Sequence, residues 1–229
     1  MEMHWHLSEE DFFKDLTKAR EEFIDLAVRR VIKKNEFLFF ENDPGDSCFY
    51  LEQGSVKIFA ITLLGKEPTF MVRRSGELFG LAEVVEGQPR KCNAQAIGHS
   101  VVYEISKGDF ETLLSRNYPL ARKVITVLGK RLRFLCEQIG NLMVCDVTTR
   151  LIKLLIYLAY DNIIDLETCV TPITLPLMLT QEQIAGMTGS CQQTVSETLK
   201  KLQEDGFIEV SRKEITLLRP SQMISQIYN

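Results

Sequence analysis

Three residues at set spacings constrain this chain more than any other feature: Ala185, Gly189 and Val195, within TQEQIAGMTGSCQQTVSETLKKL (180–202). Two helices that cross closely need a small residue at the crossing. They need a turn residue that tolerates left-handed backbone, and then an apolar residue pointing back inward. Ile184, Leu199 and Leu202 extend the same inward face, and Thr180 followed by Glu182 and Gln183 has the composition of a helix start. The stretch predicts a helix-turn-helix. The next segment, GFIEVSRKEITLL (206–218), reads as strand, turn, strand with Arg212 and Lys213 at the tip, which makes the arrangement winged.

With Val195 and Leu199 turned inward, Gln192, Gln193, Ser196, Glu197 and Lys200 face outward on the second helix. Glutamine pairs bidentately with adenine, glutamate accepts from cytosine N4, and serine serves several bases. Gln192, Gln193, Ser196 and Glu197 are therefore the expected base readers. Phosphate contacts are expected from Thr194, Lys200, Lys201, Arg212 and Lys213, and from backbone N–H groups at helix starts. Between Thr180 and Arg219 stand five Lys/Arg against six Asp/Glu, and the whole chain carries a net charge of -4. That balance argues against indiscriminate polyanion binding and for discrimination with little nonspecific grip.

Upstream, residues 8–33 read as helical. From Glu36 to Ser106 short β-branched and aromatic runs punctuated by glycine (FLFF, CFYLEQG, SVKIFAITLLG, PTFMVRRSG, VVYEISKG) predict an all-β barrel or roll. From Asp109 the pattern is helical. Ile125, Leu128, Leu132, Leu135, Ile139 and Leu142 are spaced 3, 4, 3, 4, 3 and flanked by Lys130, Arg131, Arg133 and Glu137. This heptad seam predicts a parallel coiled-coil homodimer. Asp146 is the expected N-cap of the helix that follows, and VTPITLPLM reads as extended.

Other classes find little support. The six cysteines, at 48, 92, 136, 145, 169 and 191, form no CxxC pair, and with three histidines they suggest neither zinc nor a disulfide framework. Reduced thiols in a cytoplasmic protein are expected. MEMHWHLSEEDFF has no signal-peptide pattern, and LIKLLIYLAY is too short to span a bilayer, so no membrane partner is expected. No nucleophile–base set, phosphate loop or paired-acid motif is recognisable, and catalysis is not expected.

Over nearly its full length the chain resembles the superfamily of the cyclic-AMP receptor protein and the fumarate–nitrate reduction regulator (Crp/Fnr). The resemblance is densest in EQIGNLMVCDVTTRL (137–151) and continues through the helix-turn-helix and GFIEV. GELFGLAEVVEGQPRKCNAQA (76–96) matches the effector cassette, and Gly45, Gly54 and Gly76 stand where family strands turn. The resemblance implies an α+β fold: a β-roll (jelly-roll) sensor domain over 1–116, a dimerisation helix over 117–145, and a winged helix-turn-helix DNA-binding domain over 146–229 with Asp146 at the hinge. It further implies a homodimeric transcription factor, an activator engaging RNA polymerase, on an interrupted palindrome in double-stranded DNA. A small-molecule effector in the β-roll would reorient the DNA domains.

The departures sharpen this. Cyclic-nucleotide binders of the family hold the ribose with a cassette glutamate and the phosphate with Arg-Ser or Arg-Thr. Here the cassette reads Gly80-Leu81-Ala82, with Glu83 offset, and Arg90 is followed by Lys91. The pair offered to adenine from the dimer helix is Leu135 and Cys136. Gly80, Leu81, Arg90, Lys91, Leu135 and Cys136 are thus the expected effector-site residues. A ribose hydroxyl buried without its partner costs up to about 3 kcal/mol, so cyclic AMP is not the expected effector. Arg90 and Lys91 read either as holders of another anion or as surface charges. An iron–sulfur cluster is not expected, since the first cysteine is Cys48. Haem sensing of nitric oxide or carbon monoxide is an alternative, with His99 or the His4/His6 pair as donors. So is thiol sensing through Cys92, Cys136 or Cys145. A β-roll module acting through protein contacts is the remaining alternative.

Overall fold

Side chains along Ser47–Gln53 alternate between two apolar surroundings, and that alternation sets the layers of the N-terminal half. Cys48 and Tyr50 face a core shared with helices, whereas Phe49 and Leu51 face a core between two sheets. The computed structural model describes residues 11–159, 171–212 and 214–228. The chain divides into two compact units, one reaching Leu132 and the other running from Arg133.

The first unit opens with α1 (Thr17–Leu26) and β1 (Val28–Ile32). There follow β2 (Phe37–Phe39), β3 (Ser47–Gln53), β4 (Ser55–Phe59), β5 (Thr69–Arg74) and β6 (Leu78–Phe79). A short helix, α2 (Leu81–Glu86), precedes β7 (Asn93–Ala96) and β8 (Ser100–Ser106). The strands form two four-stranded antiparallel sheets, ordered β1-β8-β3-β6 and β2-β7-β4-β5. Ile32, Phe39, Phe49, Leu51, Val56, Phe79, Ala94 and Val102 fill the space between them. This is the β-roll.

Residues 8–33 are not one helix, contrary to the sequence reading. Among the described residues of that stretch only Thr17–Leu26 is helical, and Val28–Ile32 is a strand paired along its length with β8. Val28, Val31 and Ile32 satisfy a helical and a strand pattern about equally; the ladder to a distant strand decides.

Ser106 caps α3 (Lys107–Arg116) by accepting from the Asp109 amide at 3.2 Å. Next comes α4 (Tyr118–Val144), a helix of 27 residues. Leu120, Val124 and Val127 bury one of its stripes against Phe23, Phe110 and Leu113. Ile125, Leu132 and Ile139 stay 71%, 63% and 58% exposed, and Leu135 and Leu142 are exposed beside them. Leu128 differs from the rest of the heptad seam, being half-buried against its own domain's core. An ion cluster ties α4 to the roll: Glu77 receives Arg73 at 2.9 Å and lies 3.7 Å from Arg131, which also donates to the Leu78 carbonyl at 2.7 Å.

The second unit contains the end of α4 and α5 (Val147–Ala159), which starts where Asp146 accepts from the Thr149 amide at 2.7 Å. That hydrogen bond holds the Asp146 carboxyl below the usual carboxylate range. Then come β9 (Ile173–Thr174), α6 (Gln181–Thr188), α7 (Gln192–Glu204), β10 (Ile208–Ser211), β11 (Glu214–Leu217) and α8 (Pro220–Tyr228). A three-stranded sheet, β10-β11-β9, closes the unit. No helix among the described residues is long and apolar enough to cross a membrane.

Glu77 is buried between two guanidinium groups, so its loss leaves like charges facing each other in a dry setting. Glu77→Ala should cost about 3 kcal/mol and lower the melting temperature by about 10 °C, with Glu77→Gln losing less. Thermal unfolding followed by circular dichroism checks this; an unchanged melting temperature would show that the cluster does not stabilise the fold.

Candidate nucleic-acid interface and effector cassette

Thr180 and Gln183 build the start of the helix-turn-helix. The Thr180 hydroxyl accepts from the Gln183 amide at 3.2 Å, and the Gln183 side chain accepts from the Thr180 amide at 2.8 Å, a complete capping box. Gly189 ends α6 at φ +62°, a left-handed conformation that makes glycine the natural residue here. Ile184, Ala185, Val195, Leu199 and Leu202 are buried between α6 and α7. Arg150 stiffens the pair by donating to the Thr188 carbonyl at 2.9 Å and the Cys145 carbonyl at 2.8 Å. This puts guanidinium charge against the Thr188 carbonyl at the α6 C-terminus, where a cation is favoured, and joins it to the residue that follows α4.

Gln192, Gln193 and Glu197 lie exposed along α7, and Ser196 is half-buried beside them. The Gln193 Nε2 group donates to Glu197 Oε1 at 3.0 Å, a bond across one helical turn. Thr194 is half-buried, and its hydroxyl lies 3.1 Å from Cys191 Sγ. Lys200 and Lys201 are exposed, and Lys200 lies 3.7 Å from Glu204. Arg212 is exposed at the wing tip with φ +57°. Lys213 lies outside the described residues.

In the cassette the surface-charge reading of Arg90 is overturned. Arg90 is 1% exposed, the largest fully buried side chain among those described. Its Nη1 donates to the Gly80 carbonyl at 3.1 Å and to Glu83 Oε2 at 3.3 Å, and its Nη2 donates to the Ser47 carbonyl. The guanidinium stacks over the Phe39 ring at 4.3 Å. Of the other expected effector-site residues, Gly80 joins Arg90 through its carbonyl, Lys91 is exposed, and Leu81 is buried in the helix-facing core with Cys48, Tyr50 and Val84. Leu135 and Cys136 belong to the other unit, where both are exposed. Sequence reasoning set Glu83 aside as offset from the family's acidic position; its spacing from Arg90 was the available signal.

The sensor alternatives have physical tests of their own. His99 is exposed, and His4 and His6 lie outside the described residues. No group of three or more metal-binding side chains occurs among the described residues. Burial, with the Glu83 carboxylate second, pushes the Cys92 thiol up to about 11, which leaves little reactive thiolate at neutral pH. The thiol that moves the other way is Cys191, which the sequence reading did not single out. The Thr194 hydroxyl beside it is the largest cause that holds the Cys191 thiol below its ordinary value.

Cys191 is also the N-cap of α7, and its side chain makes no capping hydrogen bond to the backbone. Serine at that position accepts well from the first-turn amides. Cys191→Ser should therefore stabilise the unit by about 0.5–1 kcal/mol, read as a higher denaturation midpoint. A lower midpoint would mean that the thiol contact with Thr194 outweighs a cap.

With this geometry in place, the likeness to known proteins is informative. Residues 29–117 match the cyclic nucleotide-binding domain family, and residues 149–225 match the Crp-like helix-turn-helix domain family. The global nitrogen regulator of Nostoc sp. is 27% identical over 201 residues, covering 87% of this chain and 89% of that protein. The cAMP-activated global transcriptional regulator CRP of Salmonella typhimurium is 26% identical over 181 residues, covering 79% and 84%. The structure of FixK2 from Bradyrhizobium japonicum superimposes with a TM-score of 0.76 at 19% identity, covering 87% of this chain and 96% of that one, and so shares the fold. A β-roll of the cyclic nucleotide-binding type, a long helix and a Crp-like winged helix-turn-helix together make this chain a member of the Crp/Fnr superfamily of DNA-binding transcription regulators.

Proposed function

We propose that the chain acts as a homodimer in the cytoplasm, paired along α4, and reads an interrupted palindrome through α7, under an effector other than cyclic AMP. The division of labour is a sensing roll over 1–116, a dimerisation helix over 117–145 with Asp146 at the hinge, and a DNA domain over 146–229. Activation through contact with RNA polymerase follows from the family relationship. The observation that carries the reading is the outer face of α7, where Gln192, Gln193 and Glu197 are presented to solvent on a helix fixed from behind by Val195, Leu199 and Leu202.

The Gln193–Glu197 bond makes the two side chains one reading unit. With one Nε2 hydrogen on Glu197, Gln193 keeps its other Nε2 hydrogen and its Oε1, which is what adenine N7 and N6 require. Glu197 keeps a second carboxylate oxygen for cytosine N4. The half-site should then contain adenine and cytosine at neighbouring positions, unlike a site read by arginines at guanine. Grip on the phosphates falls to backbone N–H groups at the start of α7, to Thr194, Lys200, Lys201 and Arg212, and by sequence to Lys213. The absence of the family's cassette glutamate at its usual place, together with an arginine already engaged by the chain, supports an effector other than cyclic AMP.

Selection of bound sites from random duplex DNA tests the reading. The expected product is a palindrome bound about 10³-fold or more above nonspecific DNA. Gln193→Ala should relax preference at one base pair of each half-site by about 1–3 kcal/mol. Glu197→Ala should cost less in the Gln193→Ala background than alone, since the two are coupled. No enriched sequence from a folded dimer would sink the proposal.

Leu132→Asp tests the dimer. It puts a charge in the middle of the apolar stripe and should yield monomers by sedimentation, with weaker DNA binding and an unchanged far-ultraviolet spectrum. A dimer surviving that change would place the interface elsewhere.

A further inference from the structure

An arginine withdrawn from water needs an anion, and this chain supplies one. Among the described residues, Glu83 is the carboxylate that reaches the Arg90 guanidinium, at 3.3 Å, and Glu83 is itself buried. Glu104, on β8, is linked to Arg90 only through Ser47 Oγ, which donates to it at 2.9 Å and accepts from Arg90 Nη2 at 3.4 Å, and it also accepts from Arg30 at 2.6 Å. The seat of Glu83 is made by Gly45: a Cβ there would stand 2.6 Å from Glu83 Cβ and 2.1 Å from the Gln88 carbonyl oxygen. Yet the pairing is incomplete. A guanidinium has five N–H donors, and the Arg90 Nε group is buried with no acceptor. A tetrahedral anion offers more oxygens than one carboxylate arm, so a guanidinium with a donor to spare suits a phosphate at least as well as it suits the chain's own acid.

We propose that Glu83 is a resident counter-ion that determines the ligand specificity of the cassette: its carboxylate takes the place of a phosphate-bearing effector and excludes such ligands from Arg90. This rests on the reading above only in taking the β-roll as the ligand domain; it is independent of whether α7 reads DNA. The consequence is selectivity by occupation. Phosphate-bearing metabolites meet a site whose positive charge is already spent, and a ligand lacking an anionic group is not penalised by Glu83.

The experiment uses the full chain and two probes, inorganic phosphate and cyclic AMP, in isothermal titration and thermal shift. The natural chain should bind neither saturably at millimolar concentration. Glu83→Ala should gain saturable binding of at least one probe, about tenfold tighter or more than the natural chain, with a melting temperature raised by about 2–5 °C at saturation. Glu83→Gln, which keeps the shape without the charge, carries the same expectation should Glu83→Ala fail to fold. The double variant Glu83→Ala/Arg90→Ala should lose the gain. Three results would each overturn the proposal: the natural chain binding a probe as tightly as the variants, a folded Glu83→Gln gaining nothing, or the gain persisting without Arg90. DNA selection with the same natural protein tests α7 alone, so the reading of DNA and the role of Glu83 fail separately; cyclic AMP bound tightly by the natural chain would sink the effector reading together with this one, whereas phosphate bound tightly would sink this one alone.

Discussion

A helix of 27 residues must find cover for more than one face, and α4 finds cover at home for only one. Leu120, Val124 and Val127 are spent on the core of its own roll, while the stripe from Ile125 to Leu142 is left bare. Each apolar side chain brought out of water contributes about 1.5–3 kcal/mol, so several exposed on one stripe favour association. Leu128 sits on the border between the two stripes. The same helix thus packs into the core of the roll on one stripe and carries the exposed apolar stripe on another. Arg131, held by Glu77 and the Leu78 carbonyl, fixes its rotation against the roll.

Charge is treated in opposite ways in the two halves of the chain. Inside the roll, Lys57, Arg73, Glu77, Glu83 and Arg90 are buried; Arg73–Glu77 and Arg90–Glu83 pair within that set, and Lys57 reaches the exposed Glu67. Buried pairs add little net stability, because desolvation offsets most of their attraction, but they penalise every arrangement that separates the partners. On α7 the chemistry is exposed, mostly neutral and hydrogen-bonding. The roll uses charge to fix its own geometry, whereas the outer face of α7 carries a single carboxylate, Glu197, among neutral amide and hydroxyl groups.

Short-range features were legible in the sequence. Thr180 with Gln183, Gly189, Asp146 and the inward set of α7 are local decisions, made by groups within four residues of one another. The β-roll was legible as a class from its glycine-punctuated runs. Two things were not. The first residues of the roll could satisfy either period, and only pairing with a strand about seventy positions away made Val28–Ile32 a strand. The environment of Arg90 was equally hidden, because its carbonyl partner belongs to Ser47, forty-three positions earlier, and its rings belong to β2 and β3. Contacts of that range leave no periodic trace in the chain.

Gly45 has a consequence at the level of the gene. Every single-base, amino-acid-changing substitution in a glycine codon introduces a Cβ, and at this position the Cβ would meet a backbone carbonyl at 2.1 Å rather than a side chain that could swing aside. No one-step mutant is spared, from alanine upward. Any replacement of Gly45 therefore disturbs the seat of Glu83 whichever side chain it brings, whereas a change at position 83 alters the pairing without that clash against the backbone.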